Sequence, residues 1–125
     1  MRQVDLREAT TEDIYRWYNG PPPVSMRAQV AEMDGELVAI WGVQHSEGEI
    51  ICFSIIKPEI RLLKREVVKG VRMLRKMLQQ YAYVIAFASE DEPTSEGFIK
   101  HVGFRYIGKS PQGKVFVWEQ PQRLC

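Results

Sequence analysis

Hydrophobic positions along this chain follow two periods, and they change over where the chain passes from strands into a long helix. Residues 2–7 alternate apolar and polar, as does Arg27–Met33, which is the period of a half-buried strand, and Glu36–Gln44 reads as a return strand. Asp34-Gly35 between the last two is a hairpin signal. Val38, Ile40 and Val43 are the inward candidates of the return strand. Ser46-Glu-Gly48 turns the chain again, and Glu49–Ile56 completes an antiparallel meander. From there Ile60, Leu63, Val67, Val71, Leu74 and Leu78 recur at helical spacing and form one apolar stripe. Tyr83–Ala88 is a short, nearly continuous apolar run, suited by length to a central strand. A full crossover helix precedes it, so it should lie parallel to Glu49–Ile56.

Polar punctuation places the remaining elements. Thr10-Thr-Glu-Asp13 has the spacing of a capping box and opens a helix carrying Ile14, Trp17 and Tyr18. That helix should stop near Asn19-Gly20, before Pro21-Pro-Pro23. Ser89–Pro93 reads as an acidic loop, and Thr94–Val102 as a short helix ended by Gly103. Phe104–Gly108 and Lys114–Glu119 form a last hairpin around Ser110-Pro-Gln-Gly113. The order β-α-β-β-β-α-β-α-β-β predicts an α/β fold, a mixed and mostly antiparallel sheet with helices on both faces. A length of 125 residues predicts one domain with one core over 1–125. Ligands of such sheets gather at the carboxyl ends of the central parallel strands, here near Ile56–Arg61 and Ala88–Thr94.

Composition narrows the function classes. With 45% hydrophobic and 26% charged residues the chain is of ordinary globular type. No apolar run approaches the ~18 residues needed to span a membrane. The first residues lack a signal-peptide core, so an intracellular protein is expected. Cys52 and Cys125 do not make a disulfide framework. Cys52, inside an apolar strand, reads as a structural thiol before it reads as a nucleophile. His45 and His101 have no zinc spacing, and no metal is expected.

The net charge of +1 conceals an asymmetry. Residues 57–80 carry eight Lys/Arg against Glu59 and Glu66, so the positive charge is concentrated on one element. No glycine falls between Gly48 and Gly70, yet here the strand Ile50–Ile56 runs through Lys57-Pro58 into that basic helix. Strand-to-helix turns hold phosphates on backbone N–H groups and usually need glycine for close approach.

The element order, covering nearly the whole chain, resembles the GCN5-related N-acetyltransferase (GNAT) fold. Three segments carry the likeness: Leu6-Arg-Glu-Ala-Thr-Thr-Glu-Asp13, Ile56-Lys-Pro58 before the long helix, and Gly97-Phe-Ile-Lys-His-Val-Gly-Phe104. The resemblance implies that acetyl-coenzyme A wedges between the fourth and fifth strands. Ile55 and Ile56 would face the thioester, and Arg61, Leu62, Leu63, Lys64 and Arg65 would surround the pyrophosphate. Two departures stand out. Arg61-Leu-Leu-Lys-Arg65 lacks both glycines of the family turn. The family's tyrosine acid falls at Ile99, which has no proton to give, and its asparagine falls near Glu92. Ser95 fits the small residue expected between them. A narrower resemblance, on Thr94-Ser-x-x-Phe-Ile-Lys-x-Val-Gly103 after a basic helix, is to internal virion proteins of short-tailed bacteriophages. That likeness implies a non-catalytic role inside a phage particle, where the family at large implies the cytoplasm of a bacterial host.

Each candidate has a chemical and a structural reading. Glu49 is a candidate base or an exposed strand-end carboxylate. Tyr106 is a candidate acid or a cross-strand packing residue. Ser54 binds substrate or is satisfied within its strand. Trp41 and Trp118 read as core or sheet-face residues. Arg61, Arg65, Lys69, Arg72 and Lys76 form a basic stripe of about 22 Å opposite the apolar one. It is a solvated face, a contact for coenzyme A phosphates at Arg61–Arg65, or a surface for an acidic protein or nucleic acid at Lys69, Arg72 and Lys76. Two functions therefore stand: an acyl-coenzyme A dependent N-acetyltransferase acting on an amine, and a binding protein built on the same scaffold. The two departures favour the second.

Overall fold

The computed structural model describes residues 3–88 and 93–120. Its elements are β1 (Val4–Glu8), α1 (Thr11–Tyr18), β2 (Ser25–Met33), β3 (Glu36–Ser46), β4 (Glu49–Ile56), α2 (Lys64–Leu78), β5 (Tyr83–Ala88), α3 (Pro93–Val102), β6 (Arg105–Ser110) and β7 (Gly113–Glu119). The strands form one seven-stranded sheet in the order β1-β2-β3-β4-β5-β7-β6. Every pairing is antiparallel except β4–β5, which is parallel as the crossover predicts.

Helices cover both faces. The Thr10 hydroxyl accepts the Asp13 N–H, and the Asp13 carboxylate accepts the Thr10 N–H, so the capping box opens α1 as the spacing predicts. Ile14, Trp17 and Tyr18 of α1 pack on Ala28, Val30, Leu37 and Ile40. On the other face α2 and α3 bring Val71, Leu74, Leu78, Ile99 and Val102 onto Trp41, Val43, Val84, Ala86 and Phe116. Gly70 of α2 faces Leu6 and Trp41 on this face.

Two irregularities shape the functional region. In β3 the pairing skips Val38, because Ala31 faces Ala39 while Glu32 faces Leu37. This bulge reverses the parity of the strand. Val38 and Ile40, expected on one face, are therefore both buried but in opposite cores. The spare Val38 carbonyl accepts the Lys57 N–H at 3.0 Å.

The start of α2 is the second. The apolar spacing predicts a helix from about Ile60, but the helix begins at Lys64. Lys57–Ile60 is instead a turn, with Pro58 at its second position and the Ile60 N–H on the Lys57 carbonyl at 3.0 Å. Leu63 is extended, with φ −74° and ψ 154°. The other elements begin and end within two residues of their predicted limits.

Candidate functional site

β4 and β5 pair only at Ile51–Ile85 and Cys52–Ala86. Beyond Cys52, β4 stays with β3 as far as Ile56 opposite Ala39, so the two parallel strands part company. The Lys57 N–H points toward β3, at Val38. Successive N–H groups of an extended chain point to opposite sides, so the Ile56 N–H faces the gap.

A cavity of about 770 Å³ opens along this gap, a size suited to a small-molecule site. Leu6, Ile40 and Trp41 contribute from the sheet, Ser54 and Ile56 from β4, and Lys57, Pro58, Ile60 and Leu62 from the turn. α2 adds Lys64, Glu66, Val67, Val68 and Gly70, and α3 adds Gly97, Phe98 and His101. A second cavity of about 270 Å³ lies between β4, β5 and α3 and shares Ser54 and Phe98 with the first.

Hydrogen bonds fix the walls. The Trp41 indole N–H donates to Gln29 Oε1 at 2.7 Å. The Gln29 amide in turn donates to Glu8 Oε1 and the Met73 carbonyl at 2.9 and 3.2 Å. Trp41 therefore has its only donor satisfied while its ring forms part of the cavity wall. Lys57 Nζ pairs with Glu36 Oε1 at 2.7 Å and lies 5.9 Å from the Trp17 ring centre. The Lys57 ammonium holds the exposed Glu36 carboxyl below its ordinary range. At the head of α2, the Leu63 N–H donates to Glu66 Oε1 at 2.7 Å. Lys64 and Arg65 supply the first N–H groups of the helix proper, where donors lack intrahelical acceptors and anions are favoured. Burial pushes the Cys52 thiol up to about 12, which disfavours the thiolate.

The residues expected at the site divide. Ile56, Leu62 and Lys64 line the large cavity, and Ser54 lines both. Ile55, Arg61, Leu63 and Arg65 are exposed and outside the lining. Glu49 is exposed at the opposite end of β4, about 23 Å of extended strand from Ile56, so the strand carries it away from the cleft. Tyr106 stands on the edge strand β6, with its ring 5.6 Å from Phe116 in an edge-on contact. It lines neither cavity, because β7 separates β6 from β5. Lys69, Arg72 and Lys76 are exposed on α2. Arg61 precedes the helix, so the helical part of the basic stripe spans about 16 Å from Arg65 to Lys76. Ile99 is buried and lines the smaller cavity, and Trp118 is a core residue. Glu92, Cys125 and the side chain of Ser95 lie outside the described residues. Among the described residues no three His, Cys, Asp or Glu side chains gather as metal ligands, and no helix is long and apolar enough to cross a membrane.

Sequence reasoning missed His101 and Glu66. Gly97, Phe98 and His101 recur at i, i+1 and i+4, one face of α3, and that face meets the large cavity. The spacing was present in the sequence, but only the fold shows which face is turned inward.

No family model and no curated protein matches this sequence. Solved structures do, and the fold they share with it is that of the GNAT acetyltransferases. YncA of Salmonella typhimurium, solved with its cofactor acetyl-CoA, is similar over 98% of this chain and 96% of its own, at 13% identity and a TM-score of 0.71. The spermidine/spermine N-acetyltransferase SpeG of Vibrio cholerae is similar over 94% of this chain and 95% of its own, at 14% identity and a TM-score of 0.65. The aminoglycoside acetyltransferase AAC(6')-Ib, in complex with coenzyme A, reaches 16% identity and a TM-score of 0.63 over 94% of this chain and 95% of its own. The resemblance to phage virion proteins finds no counterpart among these three.

Proposed function

We propose that this protein binds acyl-coenzyme A in the gap between β4 and β5 and transfers the acyl group to an amine. One observation carries the reading: β4 leaves β5 after Cys52 and opens a cavity of about 770 Å³ with the Ile56 N–H directed into the gap. Neighbours with this fold are acetyltransferases, one solved with acetyl-CoA and one with coenzyme A. The missing glycines weigh less than they do in the sequence alone, since a diphosphate is held by backbone N–H groups, which Leu and Lys also possess.

The residues present fit such a ligand. Ile56 N–H would hold the thioester oxygen, and Trp41, Val67 and Phe98 would pack along the pantetheine arm. The N–H groups of Lys64 and Arg65 and the charge of Lys64 would meet the phosphates. Bound acyl-coenzyme A supplies an activated acyl carbon: a C–N bond forms, the C–S bond breaks, and one proton passes from nitrogen to sulfur. His101 lines the cavity, and its imidazole, which can both accept and donate a proton, is our candidate carrier of that proton. It takes the acid role that Ile99 cannot fill.

A binding role without catalysis is the second reading, favoured by the Glu66 carboxylate already seated on the Leu63 N–H. The exposed Lys69, Arg72 and Lys76 would then serve an acidic partner.

Thermal unfolding with coenzyme A and acetyl-coenzyme A, paired with thiol release from acetyl-coenzyme A in the presence of polyamine and peptide amines, tests both. A ligand at 100 times its Kd stabilises by about 2.7 kcal/mol. Stabilisation with amine-dependent thiol release is the expected result. No shift at millimolar ligand sinks the acyl-coenzyme A reading, and a shift without amine-dependent release leaves the binding role.

A further inference from the structure

A smaller cavity, larger than an acetyl group would fill, adjoins the proposed acyl-coenzyme A site. It occupies about 270 Å³ at the base of the gap, beside the last β4–β5 pair, Cys52–Ala86. Its side-chain wall is mostly apolar, with Ile51, Ala86, Phe87, Ile99, Val102, Phe104 and the Cys52 thiol, and strand backbone supplies its polar part. It adjoins the larger cavity at two side chains that line both, Ser54 and Phe98. Ser54 is the polar member at the join, and inward of it the described lining offers no charged group.

We propose that this cavity is an acyl-chain pocket and that the preferred donor carries a straight acyl chain of about six carbons in place of acetyl. The inference rests on the acyl-coenzyme A reading above. Ile56 directs its N–H into the gap, which fixes the thioester near the C-terminal end of β4. From there an acyl chain has two directions, toward the open cavity shared with α2 or down the divergence toward Cys52 and Ala86. The second is the narrower and its side chains are mostly apolar, so a chain laid there withdraws much of its surface from water. An acetyl group would fill only a small part of it. Size supports the chain length. A dry apolar cavity of about 150 Å³ accepts a benzene ring, so 270 Å³ accommodates a hexanoyl tail. Ile99 matters in this view because its apolar side chain completes the wall, where a hydroxyl would require a partner.

The test is calorimetric titration of the full chain with coenzyme A, acetyl-coenzyme A and hexanoyl-coenzyme A. Each buried methylene tightens binding about four-fold, so hexanoyl-coenzyme A should bind more tightly than acetyl-coenzyme A by on the order of 100-fold. Ala86→Leu and Cys52→Leu both fill the cavity, and either one that folds should bring that ratio to near one. Binding of acetyl- and hexanoyl-coenzyme A with equal affinity overturns the pocket and leaves the acyl-coenzyme A reading standing. A hexanoyl preference that survives both filling substitutions overturns it too. If none of the three ligands binds, the underlying reading fails, and the pocket with it.

Discussion

The Glu66 carboxylate accepts the Leu63 N–H at 2.7 Å, so the first turn of α2 carries its own anion where an incoming diphosphate would otherwise meet only donors. Glutamine at this position keeps an oxygen for the Leu63 N–H and loses the charge. Two like charges ~6 Å apart repel by a few kcal/mol at an effective dielectric of 20. Glu66→Gln should therefore tighten coenzyme A binding roughly ten-fold. Calorimetry at fixed ionic strength reads this directly; an unchanged or weakened affinity would separate the carboxylate from the phosphate site.

His101 stands one helical turn after Gly97 and Phe98 on the face of α3 that meets the large cavity. General acid–base groups contribute typically ~10²–10⁴-fold to rate. His101→Gln should lower kcat by about that factor, with a much smaller change in the Kd for coenzyme A. Equal losses in both would make His101 a binding residue.

Much of this was legible in the chain. Thr10 and Asp13 sit at capping-box spacing and form one, and the single crossover helix fixed β5 as the parallel partner of β4. The beginning of α2 was not, because Ile60 continues the apolar stripe by spacing while Pro58 and the extended Leu63 hold it outside the helix. The Val38 bulge has no marker in the sequence, since Leu37–Val43 is apolar on both faces and either parity is acceptable. Glu49's distance from the cleft was not legible for a directional reason: a strand bordering a cleft has two ends, only the carboxyl end of β4 opens, and at the other Glu49 is the exposed strand-end carboxylate of its structural reading. Glu66 was counted as a minority charge on a basic helix, although its position at the third residue is what sets it against Leu63.

Acid should unfold the protein through Asp13. Hydrogen bonds from the Arg7 guanidinium, which reaches both carboxylate oxygens, hold the buried Asp13 carboxyl far below its usual range. Because the folded value is depressed, the stabilisation is fully present above the unfolded value near ~3.9 and is lost as pH falls further. Asp13→Asn should cost about 2–3 kcal/mol at pH 7 and flatten the decline of stability below about pH 4. Urea melts from pH 7 down to pH 2.5 supply the comparison; parallel curves for the two proteins would remove Asp13 from the account.

Two buried glycines should answer oppositely to alanine. At Gly42, φ is +155° and an added Cβ would lie 2.1 Å from the Arg27 carbonyl oxygen, in the middle of the β2–β3 pairing. Gly42→Ala should destabilise by more than about 3 kcal/mol. At Gly70 the nearest atoms to such a Cβ are on Leu6 and Trp41, at 3.5 and 3.6 Å, ordinary contact distances. Inside a helix alanine is then worth up to about 1 kcal/mol over glycine, so Gly70→Ala should raise Tm by a few degrees. Thermal melts of both variants decide it.

The two residue pairs joining β4 to β5 have a mechanical meaning. Strands β1–β4 form one leaf of the sheet and β5–β7 another, and the Ile51–Ile85 and Cys52–Ala86 seam is the narrow spine between them. A wedge-shaped guest in the gap touches both leaves at once and acts as a clasp. Its arrival should be felt beyond the cavity, as slowed hydrogen exchange at the amides of Ile85 and Ala86, so that a hinged book becomes a single board.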